Sequence, residues 1–143
     1  LKIPDTEARD SLFQAEARRC SNILNLIETH KKAKHFCIFD ELFSGTNPYE
    51  AVATAYGYLN HISSNSNIRF MLTTHYIRLC KLFNKNKNIE NNNMETNLID
   101  DEPQYSYKIV KGISKIKGGI MVLKQLNYPA KIISEANKII NDL

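Results

Sequence analysis

Asp40 and Glu41 stand side by side directly after the apolar run Phe36-Cys37-Ile38-Phe39. Two carboxylates in that place suit phosphoryl transfer, because one can hold a magnesium ion while the next orients or deprotonates a water. Asp40 fits the first role and Glu41 the second; a turn or helix-capping pair is the plainer alternative. His75 closes a second apolar run after Thr73-Thr74. An imidazole donates well to an anionic oxygen, so it could sense a terminal phosphate or place the attacking water. A histidine satisfied locally at a strand end is the competing reading, and it is the combination of Asp40-Glu41 with Thr74-His75 that favours chemistry. Ser11, at the mouth of a helix, could offer its hydroxyl and nearby amides to phosphate, or simply cap the helix. His30, His35 and His61 have no carboxylate or cysteine at ligand spacing and read as surface residues.

The elements that must position these groups follow from periodicity. Over residues 11–33, Leu12, Ala15, Cys20, Ile23, Leu24 and Ile27 recur at helical intervals, with Asp10 or Ser11 available as cap. Residues 36–39 form a short continuous apolar run, which predicts a strand buried on both faces. After the turn residues at 44–48, the alanine-rich stretch 49–62 predicts a helix, 68–72 a second strand, and Ile77, Leu79, Leu82 and Phe83 a short helix. Strand, helix, strand, helix at these spacings implies an α/β layered fold with parallel strands, whose carboxyl ends are where ligands bind. Residues 84–102, dominated by Asn, Lys and acidic side chains, predict a mobile surface loop. Residues 105–110 alternate as a strand; Gly112, Gly118 and Gly119 punctuate the entry to a helix over 120–126. Pro129 then opens an amphipathic final helix whose apolar stripe serves as core or as a partner surface.

The 143 residues, 43% of them hydrophobic, suffice for one soluble domain with its own core. A formal charge of +4 spread along the chain leaves DNA contact a hypothesis and describes a solvated face equally well. Three widely spaced cysteines, without a C-x-x-C pair, speak against a disulfide framework or zinc knuckle and for a reducing intracellular setting. No apolar run is long enough to span a bilayer. A start without methionine suggests a segment cut from a longer protein.

Four patches together resemble the C-terminal ATPase domain of the MutS family. Ser11-Leu12-Phe13-Gln14-Ala15-Glu16, with Asn22-Ile23-Leu24 after it, is similar to the family's signature helix, S-x-F-x-x-E then N-I-L. Phe36 to Leu42, with Ser44-Gly45-Thr46 behind, resembles the Walker B strand and its D-loop, and Thr73-Thr74-His75-Tyr76 resembles the switch histidine segment. Tyr107 to Ser114, followed by Gly119-Ile120 and Pro129, is similar to the closing strand and terminal helices. The resemblance implies a P-loop NTPase-like fold of the ABC ATPase type, with a mainly parallel sheet and a helix-turn-helix-like dimerisation element at the end. It divides the chain into signature helix 11–33, Walker B and D-loop 36–48, switch segment 73–76, flexible loop 84–102 and closing elements 105–143.

By that resemblance the ligands are ATP and Mg2+: Asp40 binds the ion through water, Glu41 acts on the hydrolytic water, and His75 senses the γ-phosphate with Thr74 beside it. Ser11 reaches the γ-phosphate of the opposite subunit's nucleotide, and Ser44, Gly45, Thr46 and Asn47 lie at the interface of a homodimer or heterodimer. Tyr107 lies against adenine, or else packs across strands. Double-stranded DNA is bound through domains outside the chain, and for a DNA-repair relative the intracellular setting would be cytoplasmic, nucleoid or nuclear. The family usually has glycine at the position of Phe43, arginine at Ser44, a Ser-Thr pair at Asn47-Pro48 and an aromatic residue at Gly118, which marks a divergent branch. No G-x-x-x-x-G-K-[ST] loop occurs, so the chain alone does not grip ATP in the family's manner, and that loop is expected upstream. The competing expectation is a catalytically silent dimerisation module on the same fold; an ABC-type ATPase outside mismatch repair ranks below both.

Overall fold

In the computed structural model, residues 11–99, 102–116 and 118–142 are described. The first helix, α1 (Leu12–Thr29), starts at Ser11, whose side chain and backbone exchange hydrogen bonds with Gln14 in a capping box. Asp10, the other candidate cap, lies outside the described residues. The helix stops four residues short of the expected boundary at 33. Its last buried residue is Ile27, and the exposed Lys31, Lys32 and Lys34 that follow have no apolar side chain with which to hold another turn against the core.

Strand β1 (His35–Asp40) pairs in parallel with β2 (Ile68–Thr73), with His35 opposite Ile68 and Asp40 opposite Thr73. Between them runs α2 (Pro48–Ser63), started by Asn47, whose side-chain oxygen accepts from the Tyr49 and Glu50 amides while Pro48 occupies the first turn. The connection after β2 leads into α3 (Ile77–Phe83). The buried positions of α2, Ala51, Val52, Ala55, Leu59 and Ile62, form one stripe at helical spacing. They join Cys20 and Ile27 of α1, Phe39 of β1, Ile68 of β2, and Leu79 and Phe83 of α3 in one core. The Phe39 ring meets Tyr58 edge-on at 5.7 Å, and the Tyr58 hydroxyl donates to the Cys20 carbonyl.

The strand expected to be buried on both faces is buried on one. Cys37 and Phe39 face the helices, whereas Phe36 and Ile38 remain 62% and 64% exposed, as does Met71, opposite Ile38, at 58%. Among the described residues, all three helices of this part of the chain contribute to the core on the other face.

The contacts divide the chain at Asn91/Asn92 into two compact units where one domain was expected. In the second unit β3 (Asn92–Ile99) pairs antiparallel with β4 (Glu102–Lys111). This corrects two expectations: most of the predicted loop 84–102 beyond Asn91 is a strand, and the strands are not mainly parallel but form one parallel and one antiparallel pair. The two-residue connection between β3 and β4 permits only an antiparallel hairpin, since parallel pairing needs a long crossover. The strand was hidden because asparagine is poor in strands and because a register shift between Met94 and Thr96 interrupts the period of two. Helix α4 (Gly118–Gln125) ends on Asn127, left-handed at φ 55°, with the Asn127 amide donating to Lys124 and the Tyr128 amide to Leu123. Helix α5 (Ala130–Asp142) follows, packing with α4; Ile132, Ile139 and Ile140 leave an apolar stripe largely exposed. The described part is thus a mixed α/β chain, and none of its helices is long and apolar enough to cross a membrane.

Candidate active site

Parallel pairing of β1 with β2 brings their carboxyl ends level, and with them the two candidate pairs, Asp40-Glu41 and Thr74-His75. Thr73 holds both acidic residues. Its hydroxyl donates to Asp40 Oδ1, and its carbonyl accepts from the Glu41 amide at 3.0 Å. The Thr73 hydroxyl also draws the Asp40 carboxyl below the ordinary aspartate range, because a hydrogen bond to the charged form favours it. Asp40 is exposed at the strand end, and such a carboxylate suits a magnesium ion, which keeps most of its waters and takes one or two protein oxygens. Among the described residues there is no group of three or more His, Cys, Asp or Glu side chains that could cage a metal.

Glu41 and His75 meet across the strand ends, with His75 Nε2 2.8 Å from Glu41 Oε1. With a protonated imidazole the contact is an ion pair. Both side chains are exposed, so a water and an anionic substrate have access to them. The Glu41 backbone is left-handed, φ 50°, and so is that of Phe43, φ 61°. These are uncommon for residues with a Cβ, and the second is held by burial: Phe43 is 2% exposed, its ring 5.7 Å from Phe13 and 6.3 Å from Tyr58.

The remaining predicted residues are less uniformly placed. The Thr74 hydroxyl accepts from the Tyr76 amide at 3.0 Å, closing a local turn. Ser11 caps α1 through its lone pairs, which does not use its hydroxyl proton. Ser44 is exposed and its amide donates to the Glu41 carbonyl; the Thr46 hydroxyl donates to Glu50 at 2.7 Å, and Asn47 caps α2. Gly45 lies against the start of α1, where a Cβ would come within 2.7 Å of the Phe13 nitrogen and 2.9 Å of Leu12 Cγ. Ser11 and the 44–46 loop are therefore neighbours. Tyr107 sits in the second unit, left-handed at φ 57° in the irregular part of the β3–β4 pair and 84% exposed.

A family model described as MutS domain V matches residues 4–143. The chain belongs to the MutS family. It is similar to proteins called DNA mismatch repair protein MutS: 32% identical over 133 residues to that of Aquifex pyrophilus, covering 93% of this chain and 15% of the relative. It is 30% identical over 136 residues to that of Phocaeicola vulgatus, 94% of this chain and 15% of the relative. It is likewise 30% identical over 141 residues to that of Clostridium tetani, 97% and 16%. The chain thus spans about 15% of the length of the relatives it matches. In this MutS-family chain, residue-by-residue reading overlooked Thr73, whose partnership with Asp40 is set by strand register, and the Phe13–Phe43 contact.

Proposed function

We propose that this chain is the ATP-hydrolysing part of a MutS-type DNA mismatch-repair or DNA-structure-binding protein. In this reading it couples nucleotide-dependent dimerisation to DNA binding by other domains of the gene product, on a P-loop NTPase-like fold of the ABC ATPase type. The observation that carries the reading is the Glu41–His75 contact of 2.8 Å beside Asp40, since three groups suited to phosphoryl transfer converge where two parallel strands end.

Asp40 would hold Mg2+ through water, and the ion when bound neutralises charge on the phosphate oxygens. Glu41 accepts a proton from, or orients, the water that attacks the γ-phosphorus. His75, now donating to Glu41, exchanges that partner for a γ-phosphate oxygen, so substrate entry frees the Glu41 oxygen for the water. Thr74 shapes the turn that presents His75. Ser11 donates its hydroxyl proton to the nucleotide of the opposite MutS-like subunit; Ser44, Gly45, Thr46 and Asn47 line the same interface, in a homodimer or heterodimer. Tyr107 offers its exposed ring to adenine. The loop that grips the phosphates is supplied by residues outside this chain.

The experiment is Glu41→Gln in the full-length gene product. Replacing a general base typically costs about 10²- to 10⁴-fold, so steady-state hydrolysis falls by that order while ATP remains bound. Unchanged steady-state hydrolysis sinks the assignment, and absence of ATP binding in the unaltered protein favours the silent dimerisation module instead.

A further inference from the structure

The end of the β1–β2 pair remote from Asp40 has a chemistry of its own. His35 opens β1 opposite Ile68, which opens β2, and the turns leading into the two strands are fastened together there. The His35 amide donates to the Asn67 carbonyl at 2.8 Å, and the Asn67 side-chain nitrogen donates to the Lys31 carbonyl at 3.1 Å, across 36 residues of sequence. His35 Nε2 donates to the His30 carbonyl at 3.2 Å and ties the first turn further. Beside these bonds lies an open hollow of about 340 Å³, lined by Lys34, His35, Phe36, Ser66, Asn67 and Arg69.

Strand pairing concentrates positive charge that looks dispersed in the sequence. Residues 30–36 and 64–70 contain Lys31, Lys32, Lys34 and Arg69 and no Asp or Glu, so these two segments carry a formal +4, equal to the net charge of the whole chain. Lys31 Nζ is engaged with Glu28 Oε2 at 3.1 Å, whereas Lys32, Lys34 and Arg69 are exposed. Arg69 is held on the rim, its Nη1 donating to the Ser66 carbonyl at 3.2 Å and the Ile68 carbonyl at 2.9 Å. A carboxylate partner favours the two-pronged fork of a guanidinium; here Nη1 is committed to carbonyls and lysines, acting as point charges, are in the majority, which suits phosphate. Ser66 and Asn67 in the same hollow complete a donor set of Lys, Arg, Ser and Asn, the residue types that contact nucleic-acid phosphates. Asp40 closes the six-residue strand that His35 opens, about 17 Å away, so an anion held here does not compete with the candidate active site.

We propose that this hollow binds the phosphate backbone of double-stranded DNA, a contact made by this chain itself in addition to those of other domains. The cationic hollow is a property of this chain; the choice of DNA as its occupant rests on the function proposed above. Lys34 and Arg69 each neutralise a phosphate, with Lys32 beside them, so the contact is indifferent to base sequence and weakens as salt rises.

The test measures binding of a fluorescent DNA duplex to the full-length gene product over a salt series. The unaltered protein is compared with Lys34→Gln/Arg69→Gln and with Lys131→Gln/Lys138→Gln, which neutralises two exposed lysines of α5 in the second unit. The expected result is a plot of log affinity against log salt that is shallower by about 2 in the hollow variant, roughly one for each cation removed, and unmoved in the α5 variant. Lys34→Arg/Arg69→Lys, which keeps both charges, retains the slope. Lys32→Gln/Lys34→Gln leaves the carbonyl contacts of Arg69 intact and decides the matter if the first variant does not fold. A slope unmoved in both hollow variants overturns the site, and so does an equal change in the α5 variant, which reports net charge alone. Weaker binding of poly-L-glutamate with an unmoved duplex slope assigns the hollow to an acidic protein partner and overturns the proposal. If the unaltered protein binds no duplex, the DNA-binding part of the proposed function fails and the proposal with it. If the slope falls as expected while Glu41→Gln leaves hydrolysis unchanged, the DNA contact stands and the ATPase reading fails.

Discussion

Phe43 sets two energies against each other, and their difference can be measured. Its ring is 2% exposed between Phe13 and Tyr58, and truncating such a phenylalanine to alanine costs about 3–5 kcal/mol. Its backbone is left-handed at φ 61°, which costs a residue with a Cβ roughly 1–2 kcal/mol and costs glycine nothing. Phe43→Ala loses the ring and keeps the strain. Phe43→Gly loses the ring and relieves the strain, so its net cost is about 1–4 kcal/mol, in each case about 1–2 kcal/mol below that of Phe43→Ala. Glycine should therefore be the milder substitution, the reverse of regular helix or strand, where it is worse than alanine by about 0.5–1 kcal/mol. The assay is hydrogen exchange at the α2 amides of Ala55 and Leu59, which lie in the same core and report its opening. At about 1.4 kcal/mol per decade, Phe43→Ala accelerates exchange roughly a hundred- to several-thousand-fold, and Phe43→Gly by about one decade less. Alanine proving milder than glycine would refute the reasoning.

Thr73→Val removes the hydroxyl that lowers the Asp40 carboxyl, so Asp40 should titrate nearer the ordinary aspartate range, read by carboxyl-carbon NMR; an unmoved titration would remove Thr73 from its role. The sign follows from linkage: a depressed carboxylate stabilises the fold above its unfolded pKa and loses that contribution as pH falls through the folded value, so the substitution weakens the protein at neutral pH and not in strong acid. Asn127→Ala should destabilise the end of α4 by about 1–2 kcal/mol and Asn127→Gly should not, checked by exchange at the Tyr128 amide; equal effects would contradict the left-handed cap. Burial, aided by the charge of Glu16, pushes the Cys20 thiol up to about 11. At pH 8 only on the order of one thiol in a thousand is then ionised, so iodoacetamide should label Cys20 at least about 100-fold more slowly in the native than in the denatured protein, and equal rates would contradict its placement.

The meeting of Glu41 with His75 was legible because it follows from topology: each residue ends an apolar run, and parallel strands in register bring such ends together. Helix α2 was legible for a similar reason, since alanine content, Asn47 and Pro48 all agree. What escaped was set by backbone hand and by partners distant in sequence. Nothing in the letters Glu41-Leu42-Phe43 announces two left-handed residues; the loop is held that way by the Phe43 ring, which sequence proximity does not reveal. Thr73 reads as the last residue of a strand until register sets it opposite Asp40. Strand β3 is composed against its own conformation, and only pairing with β4 makes it a strand.

The reading of β1 as buried on both faces failed in an informative way. Phe36 and Ile38 lie on the same face as Met71, and strand alternation places Asp40 and Thr73 on that face too. A purely solvated face would carry polar residues at alternate positions, as antiparallel sheets commonly do, whereas a continuous apolar run is the composition of a parallel strand covered on both sides. Covering a side chain of this size contributes about 1.5–3 kcal/mol, so three of them represent a large unclaimed term on one face. That face runs directly up to Asp40, the carboxylate that binds the ion in the proposed mechanism. The proposed function requires phosphate-gripping residues from elsewhere in the gene product. A segment packing over Phe36, Ile38 and Met71 would deliver them to the edge of the sheet where Asp40, Glu41 and His75 converge, so the composition of the strand and the demands of the chemistry point to the same place.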